Sequence, residues 1–308
     1  MKQRRDLVAR LVCVTVLISI SVFMFGCDEP DVLSVERTSL ERSCELGLAD
    51  QCYALGWHYF YGSLGIQDYE QSARFLRAAC EGRVGDACSN LGQMYFGEYL
   101  GTQDLERSAI FLRQGCDLDS GIGCYGLGSL YWGGSGVPID IEEAYRLFRR
   151  SCDLGDARGC LDTGRYDAYG MNGEIDYDLA EASFRSGCEL NESEACRELG
   201  LIYTDGYAFE SDPAALRQIY SELCVRSQSA CYYLAVMQLE GIGGEQNTQN
   251  ALEAISDACA QDIAEACLTR GEIFEAGEYT ARNVRAARTA FNQACFLGNE
   301  EACGRVSE

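Results

Sequence analysis

The feature that most constrains this chain is a cysteine pair that recurs with a fixed period. In Cys80-Glu-Gly-Arg-Val-Gly-Asp-Ala-Cys88 two cysteines flank seven residues. The unit opens at Cys44, Cys80, Cys116, Cys152, Cys188, Cys224, Cys259 and Cys295, and closes at Cys52, Cys88, Cys124, Cys160, Cys196, Cys231, Cys267 and Cys303. The opening cysteines stand 36 residues apart from Cys44 to Cys224; the next step is 35 and the last is 36. Self-similarity at a period of about 20–50 residues is the mark of a repeat array. Such an array is one elongated unit rather than a chain of separate cores. Sixteen of the 18 cysteines fall into the eight pairs, which leaves Cys13 and Cys27. Evenly paired cysteines read as a disulfide framework made in an oxidising compartment.

The residues between cysteines carry their own punctuation. Counted from the closing cysteine, positions +3, +4 and +7 are Leu55-Gly56 with Tyr59, Leu91-Gly92 with Tyr95, Leu127-Gly128 with Tyr131, and Leu199-Gly200 with Tyr203. The spacing 0, +3, +4, +7 is one face of an α-helix, here helix A. Glycine inside a helix costs about 1 kcal/mol relative to alanine, so its recurrence implies close approach of a partner helix. A glycine near +10 ends helix A: Gly62, Gly97, Gly133, Gly170, Gly206, Gly241 and Gly277. At +16 stand Asp68, Asp104, Asp140, Asp176, Asp212, Asn247 and Asn283, all good N-caps. Pro213 follows Asp212 at the first helical position, where its missing N–H does no harm. Twelve residues beyond each cap lies the next opening cysteine, the last place on an apolar stripe such as Ala144, Phe148, Cys152. That is helix B. The expected fold is all-α: an α/α superhelical solenoid of seven helix-turn-helix repeats of period 36, preceded by a helix near Ser34–Leu46.

Two pairings suit this geometry. Cys80 can join Cys88 across the turn from helix B to the next helix A, or Cys52 can join Cys80 across one hairpin. The first uses all sixteen cysteines and bridges consecutive repeats, and it is the expected scheme; the second strands Cys44 and Cys303. A loop of nine residues gives about 2.5 kcal/mol through the unfolded state.

Residues 1–26 read as a targeting segment: a basic start from Lys2 to Arg10, then an apolar run from Leu11 to Phe25. The run has the length of a secretory h-region and is short for a spanning helix, which needs about 20 residues. It ends in Met24-Phe25-Gly26-Cys27, which resembles a bacterial lipobox and implies lipidation of Cys27, although Phe25 is bulky for that motif. A plain signal peptide or an uncleaved anchor is the alternative. Residues 27–33 form an acidic tether and 34–308 the solenoid. The formal charge is −23; four basic residues and one acidic residue lie in 1–26, so the remainder carries 21 basic and 47 acidic residues, or −26. That excess argues against nucleic acid, whose phosphates it repels. It also makes membrane contact depend on the anchor.

Leu-Gly-x-x-Tyr, the glycine turn, the capping Asp and the paired cysteines together resemble the Sel-like repeat (SLR) family, relatives of tetratricopeptide repeats, in its cysteine-rich Helicobacter branch. The pattern departs at Thr163-Gly164 with Asp167, Leu234-Ala235 with Gln238, and Arg270-Gly271 with Phe274. The resemblance implies a scaffold or adaptor for protein partners, with helix A lining a concave groove. Some members of the branch carry a penicillin-binding or β-lactamase label, so a cell-wall-binding protein with weak β-lactamase activity is the alternative. The residues give that chemistry little to use. Ser-x-x-Lys is lacking, because the one lysine is Lys2, and the one histidine, His58, leaves zinc without a ligand set. Asp117 to Gly121 resembles a fragment of a calcium loop but lacks the remaining ligands. No cofactor and no metal are expected.

The stripe beside the core face of helix A, at +1, +5 and +8, supplies the candidate binding residues. It reads Tyr53, Trp57, Phe60; Ser89, Gln93, Phe96; Tyr125, Ser129, Trp132; and Leu161, Arg165, Ala168. Aromatics and arginine are enriched at recognition hot spots. The eight candidates are Tyr53, Trp57, Phe60, Gln93, Phe96, Tyr125, Trp132 and Arg165, the rings either facing a groove or packing between units. With the acidic surround, the expected partner is a protein or extended peptide carrying basic and apolar residues, bound by a monomer. The expected location is the cell envelope, periplasmic or at the surface, on a lipid anchor.

Overall fold

The computed structural model describes residues 32–171, 173–204 and 212–306. Cys13, Cys27, the targeting segment and Gly206 lie outside them. The described residues form 16 α-helices: α1 (Val32–Glu45), α2 (Ala49–Tyr61), α3 (Tyr69–Glu81), α4 (Gly85–Phe96), α5 (Leu105–Asp117), α6 (Gly121–Gly133), α7 (Ile141–Asp153), α8 (Ala157–Ala168), α9 (Tyr177–Glu189), α10 (Ser193–Thr204), α11 (Pro213–Leu223), α12 (Gln228–Glu240), α13 (Thr248–Ala260), α14 (Ala264–Ala276), α15 (Val284–Phe296) and α16 (Glu300–Val306). Even-numbered α2 to α14 are the A helices and odd-numbered α3 to α15 the B helices. The helix α1 precedes this all-α solenoid of seven hairpins, and α16 begins an eighth.

Each B helix starts where its cap dictates. The side chains of Asp68, Asp104, Asp140, Asp176, Asp212, Asn247 and Asn283 accept from the backbone N–H three residues on, at 2.9–3.3 Å. Each such cap contributes about 1 kcal/mol. The same seven residues donate their own backbone N–H to the carbonyl at position +7: Tyr59, Tyr95, Tyr131, Asp167, Tyr203, Gln238 and Phe274. This bond closes every hairpin through the backbone. It explains why Asp167, Gln238 and Phe274 can replace tyrosine without loss of register.

The helix A glycine sits where the partner helix leaves no room. A Cβ at Gly56 would stand 2.8 Å from Leu76, at Gly92 2.8 Å from Leu112, at Gly128 2.8 Å from Phe148, at Gly164 2.6 Å from Phe184, and at Gly271 2.4 Å from Phe291. Helix ends obey the sequence less closely. Gly62, Gly241 and Gly277 cap their helices in the left-handed region, but Gly97 caps α4 with φ −81°. Gly133 stays inside α6 and Gly134 takes the left-handed turn; Gly170 takes it one residue after the C-cap Tyr169.

Disulfides join Cys44–Cys52, Cys80–Cys88, Cys116–Cys124, Cys152–Cys160, Cys188–Cys196, Cys224–Cys231, Cys259–Cys267 and Cys295–Cys303, with Cα atoms 4.4–4.7 Å apart. Of the two schemes, the structure has the one across the B-to-A turn. Seven of these turns place the third residue after the opening cysteine at positive φ: Gly47, Arg83, Asp119, Gly155, Asn191, Asp262 and Gly298. The turn from Cys224 to Cys231 is one residue shorter and has no left-handed residue. The 35-residue step in the repeat is therefore the loss of that turn position.

Candidate functional site

Two hollows open on the A-helix side, and six of the eight candidate residues line them. The first, about 220 Å³, lies between α2 and α4, with Trp57, Phe60 and Tyr61 on one wall, Asn90, Gln93 and Met94 on the other, Leu76 of α3 as floor, and Tyr99 at the rim. The second, about 310 Å³, lies between α6 and α8, with Tyr125, Ser129 and Trp132 facing Asp162 and Arg165 above Phe148 of α7, beside Met171. They occupy the same register. Phe60 and Trp132, Leu76 and Phe148, Asn90 and Asp162, and Gln93 and Arg165 are each 72 residues, two repeats, apart.

In the first hollow, the rings support one another. Trp57 stacks on Tyr61 with centroids 5.0 Å apart, and Tyr53 meets its edge at 6.2 Å. Phe60 packs on Tyr69 at 5.3 Å and on Tyr99 at 5.1 Å. Asn90 Nδ2 donates to Tyr53 Oη across the gap between repeats, at 3.2 Å. Groups with no formal charge line this site.

The second hollow is charged. Arg165 bonds Glu194 at 2.8 Å and Glu198 at 2.9 Å, and Arg197 bonds the same two carboxylates at 2.9 and 3.4 Å. Tyr169 Oη donates to Glu198 at 3.2 Å, so this buried carboxylate is held from three sides. Burial pushes the Asp162 carboxyl above the ordinary aspartate value, although Arg165 and the Tyr125 hydroxyl pull it down. Burial and the neighbouring Asp162 push the Tyr125 phenol up, so Tyr125 remains a donor. Tyr125 and Trp132 flank Phe148 with centroids 5.6 and 6.4 Å away.

The +1, +5, +8 stripe is thus not one continuous face. Trp57, Phe60 and Gln93 belong to the first hollow, and Tyr125, Trp132 and Arg165 to the second. Tyr53 stands behind Trp57, and Phe96 is 48% exposed away from both. Between these places the stripe turns inward. Ser89 is buried on Ser120 Oγ at 2.8 Å, and Leu161 and Ala168 are core. Asn90, Asp162, Leu76 and Phe148 were missed by that stripe, because they sit at other helical positions and reach the hollows only through packing. His58, the lone histidine, places Nδ1 2.7 Å from Ser63 Oγ in the turn after α2.

Among the described residues no helix is long and apolar enough to cross a membrane, and no group of His, Cys, Asp and Glu could hold a metal ion. The eight disulfides fit an oxidising compartment outside the cytoplasm.

The chain is similar to c5321, a protective antigen of uropathogenic Escherichia coli with an SLR fold, at 25% identity and TM-score 0.59. That match covers 88% of this chain, which spans 58% of the c5321 chain. A Sel1 repeat protein from Oxalobacter formigenes shares the fold at 21% identity and TM-score 0.61, over 78% of this chain and 98% of the other. Helicobacter pylori cysteine rich protein B aligns over 42% of this chain and 96% of its own, at 25% identity and TM-score 0.36. No curated protein matches the sequence. The Sel1 repeat model matches residues 51–83, 85–120, 121–156, 193–215 and 228–253, half of the chain. All of α8–α9 and all of α14–α15 go unmatched, and these hairpins hold two of the three departures from the Leu-Gly-Tyr pattern. Their caps, closing bonds and disulfides are intact, so the repeat continues through them: this chain belongs to the Sel1 repeat family.

Proposed function

We propose that this protein is a non-catalytic interaction scaffold at the bacterial cell envelope, binding an extended segment of a protein partner along its A-helix face. The observation that carries this reading is the pair of register-equivalent hollows, each with aromatic walls and polar groups from the next repeat. Side-chain pockets repeated along a rigid array suit alternate residues of an extended peptide. Aromatic anchors in such pockets carry most of the binding energy at interfaces. Net charge supports a basic partner, since a surface at −23 steers cations toward it. A lipid anchor at Cys27 would tether the array to a membrane that the charge itself repels.

The test is affinity capture from envelope extract with in-envelope crosslinking. Trp57→Ala and Trp132→Ala proteins that keep their helicity should each lose captured partners relative to the unaltered chain. Undiminished capture by both variants would overturn the reading.

A further inference from the structure

In and around the second hollow the carboxylates Asp156, Asp162, Glu194 and Glu198 outnumber the arginines Arg158, Arg165 and Arg197 by one. Its arginines are all matched: Arg165 and Arg197 share Glu194 and Glu198, and Arg158 forks onto Asp156 at 3.0 and 2.6 Å. Asp162 is the remainder. Among the described residues no cation lies within 4.0 Å of its carboxylate; Arg165 and Arg158 act on it from farther off, each already bound to other carboxylates, and Tyr125 lines the hollow with it. A half-buried carboxylate with no cation in direct contact is costly, and a cation that reaches it stabilises it. Around it stand Tyr125, Trp132 and Phe148. Aromatic faces attract ammonium and guanidinium groups through the ring quadrupole, most strongly in a desolvated pocket. Arg158 already shows the affinity of this wall for a guanidinium, lying 4.4 Å from the centroid of the Tyr125 ring.

We propose that the hollow between α6 and α8 is a subsite for a single arginine or lysine side chain of the partner, with Asp162 as counter-ion and Tyr125, Trp132 and Phe148 as its aromatic wall. This rests on the A-helix face being the partner surface and adds the chemistry of one position. The first hollow has Asn90 where the second has Asp162, so it takes an uncharged side chain.

The chain's two tryptophans separate the sites, since Trp57 lines one hollow and Trp132 the other. In a Trp57→Phe protein all tryptophan emission comes from Trp132. That protein would be titrated with a blocked alanine hexapeptide carrying one central arginine, with the same peptide carrying neutral citrulline, and with choline. The arginine peptide should shift the Trp132 emission, with affinity at least tenfold above that of the citrulline peptide. Asp162→Asn should erase the difference, and Asp162→Glu should restore part of it. Equal affinities for arginine and citrulline, an unmoved emission at millimolar peptide, or tighter binding of choline than of the arginine peptide would each overturn the proposal. The citrulline arm holds even where Asp162→Asn fails to fold. Envelope partners that are lost on Trp57→Ala but indifferent to Asp162→Asn would remove this inference and leave the scaffold reading standing.

Discussion

The hollows at α2–α4 and α6–α8 are the same slot of the repeat, built twice with different contents. Both use a floor at the same point of helix B, a ring near the end of one helix A, and two polar residues from the next. In the first, the floor is Leu76 and the polar pair is Asn90 and Gln93; in the second, they are Phe148, Asp162 and Arg165. The tyrosine bond across repeats also changes. Tyr53 Oη accepts from the Asn90 amide, whereas Tyr125 lines its hollow with the Asp162 carboxyl. A solenoid thus keeps backbone geometry constant while each slot varies its chemistry independently, because repeats contact only their neighbours.

That independence has its largest expected consequence at the disulfides. Replacing Cys152 and Cys160 together by serine should lower stability by about 2.5 kcal/mol, read from denaturant unfolding. Because that bridge clamps α7 to α8, emission from Trp132 should change while emission from Trp57 holds. Equal perturbation of both would mean that the slots are coupled.

The floors differ in how far they can yield. Alanine at Gly128 meets the Phe148 ring at 2.8 Å, and alanine at Gly56 meets Leu76 at 2.8 Å. Overpacking costs about 1–3 kcal/mol, offset by about 1 kcal/mol of helix propensity. Gly128→Ala should cost about 2 kcal/mol and Gly56→Ala about 1 kcal/mol, because a leucine shifts rotamer more cheaply than a confined ring. Chemical denaturation of the two variants in parallel measures the gap.

Exchange of chemistry between the slots is the sharper comparison. Asn90→Asp places a carboxylate opposite Tyr53, as Asp162 faces Tyr125, and should give the first hollow a preference for arginine over citrulline peptides of about tenfold, or ~1.4 kcal/mol. Trp57 emission in a Trp132→Phe protein reports it. In the second hollow, affinity for the arginine peptide requires the Asp162 carboxylate in its charged form. Burial holds that group above its ordinary value, so affinity is full at neutral pH and falls as pH drops through the raised value, before ordinary aspartates protonate. Arg158, Arg165 and Glu194 face the same group; the two arginines keep their charge across this range. The unaltered first hollow should show no such loss.

The smallest effect lies in the turns. The left-handed position is Arg83 before the first hollow's second wall and Gly155 before that of the second. Left-handed backbone costs a side-chain-bearing residue about 1 kcal/mol that glycine avoids. Arg83→Gly should therefore raise the denaturation midpoint slightly, and Gly155→Arg should lower it, with both hollows unaltered.

Fold was legible in this sequence because its signals are local and repeated. Asp104 caps α5 wherever the rest of the chain goes, and Gly128 announces a close neighbour without naming it. The misses are as informative. Asp167 looked like a broken tyrosine position, yet its side chain accepts from the Tyr145 hydroxyl at 3.0 Å, while its carbonyl closes the hairpin as tyrosine's does. The binding stripe was read along single helices, so it collected Phe96 and Tyr53, which line neither hollow, and passed over Asn90 and Asp162.

The cysteine spacing, the caps and the recurring glycine determined by themselves that this chain forms stacked helical hairpins, since each acts within a dozen residues of its own position. Tertiary structure decided which side chains meet in each hollow. Residues that meet there come from three helices, and helical period alone does not fix how far a neighbouring repeat rotates. A carboxylate set against an aromatic wall exists only once that rotation has brought Asp162 opposite Tyr125 and Phe148.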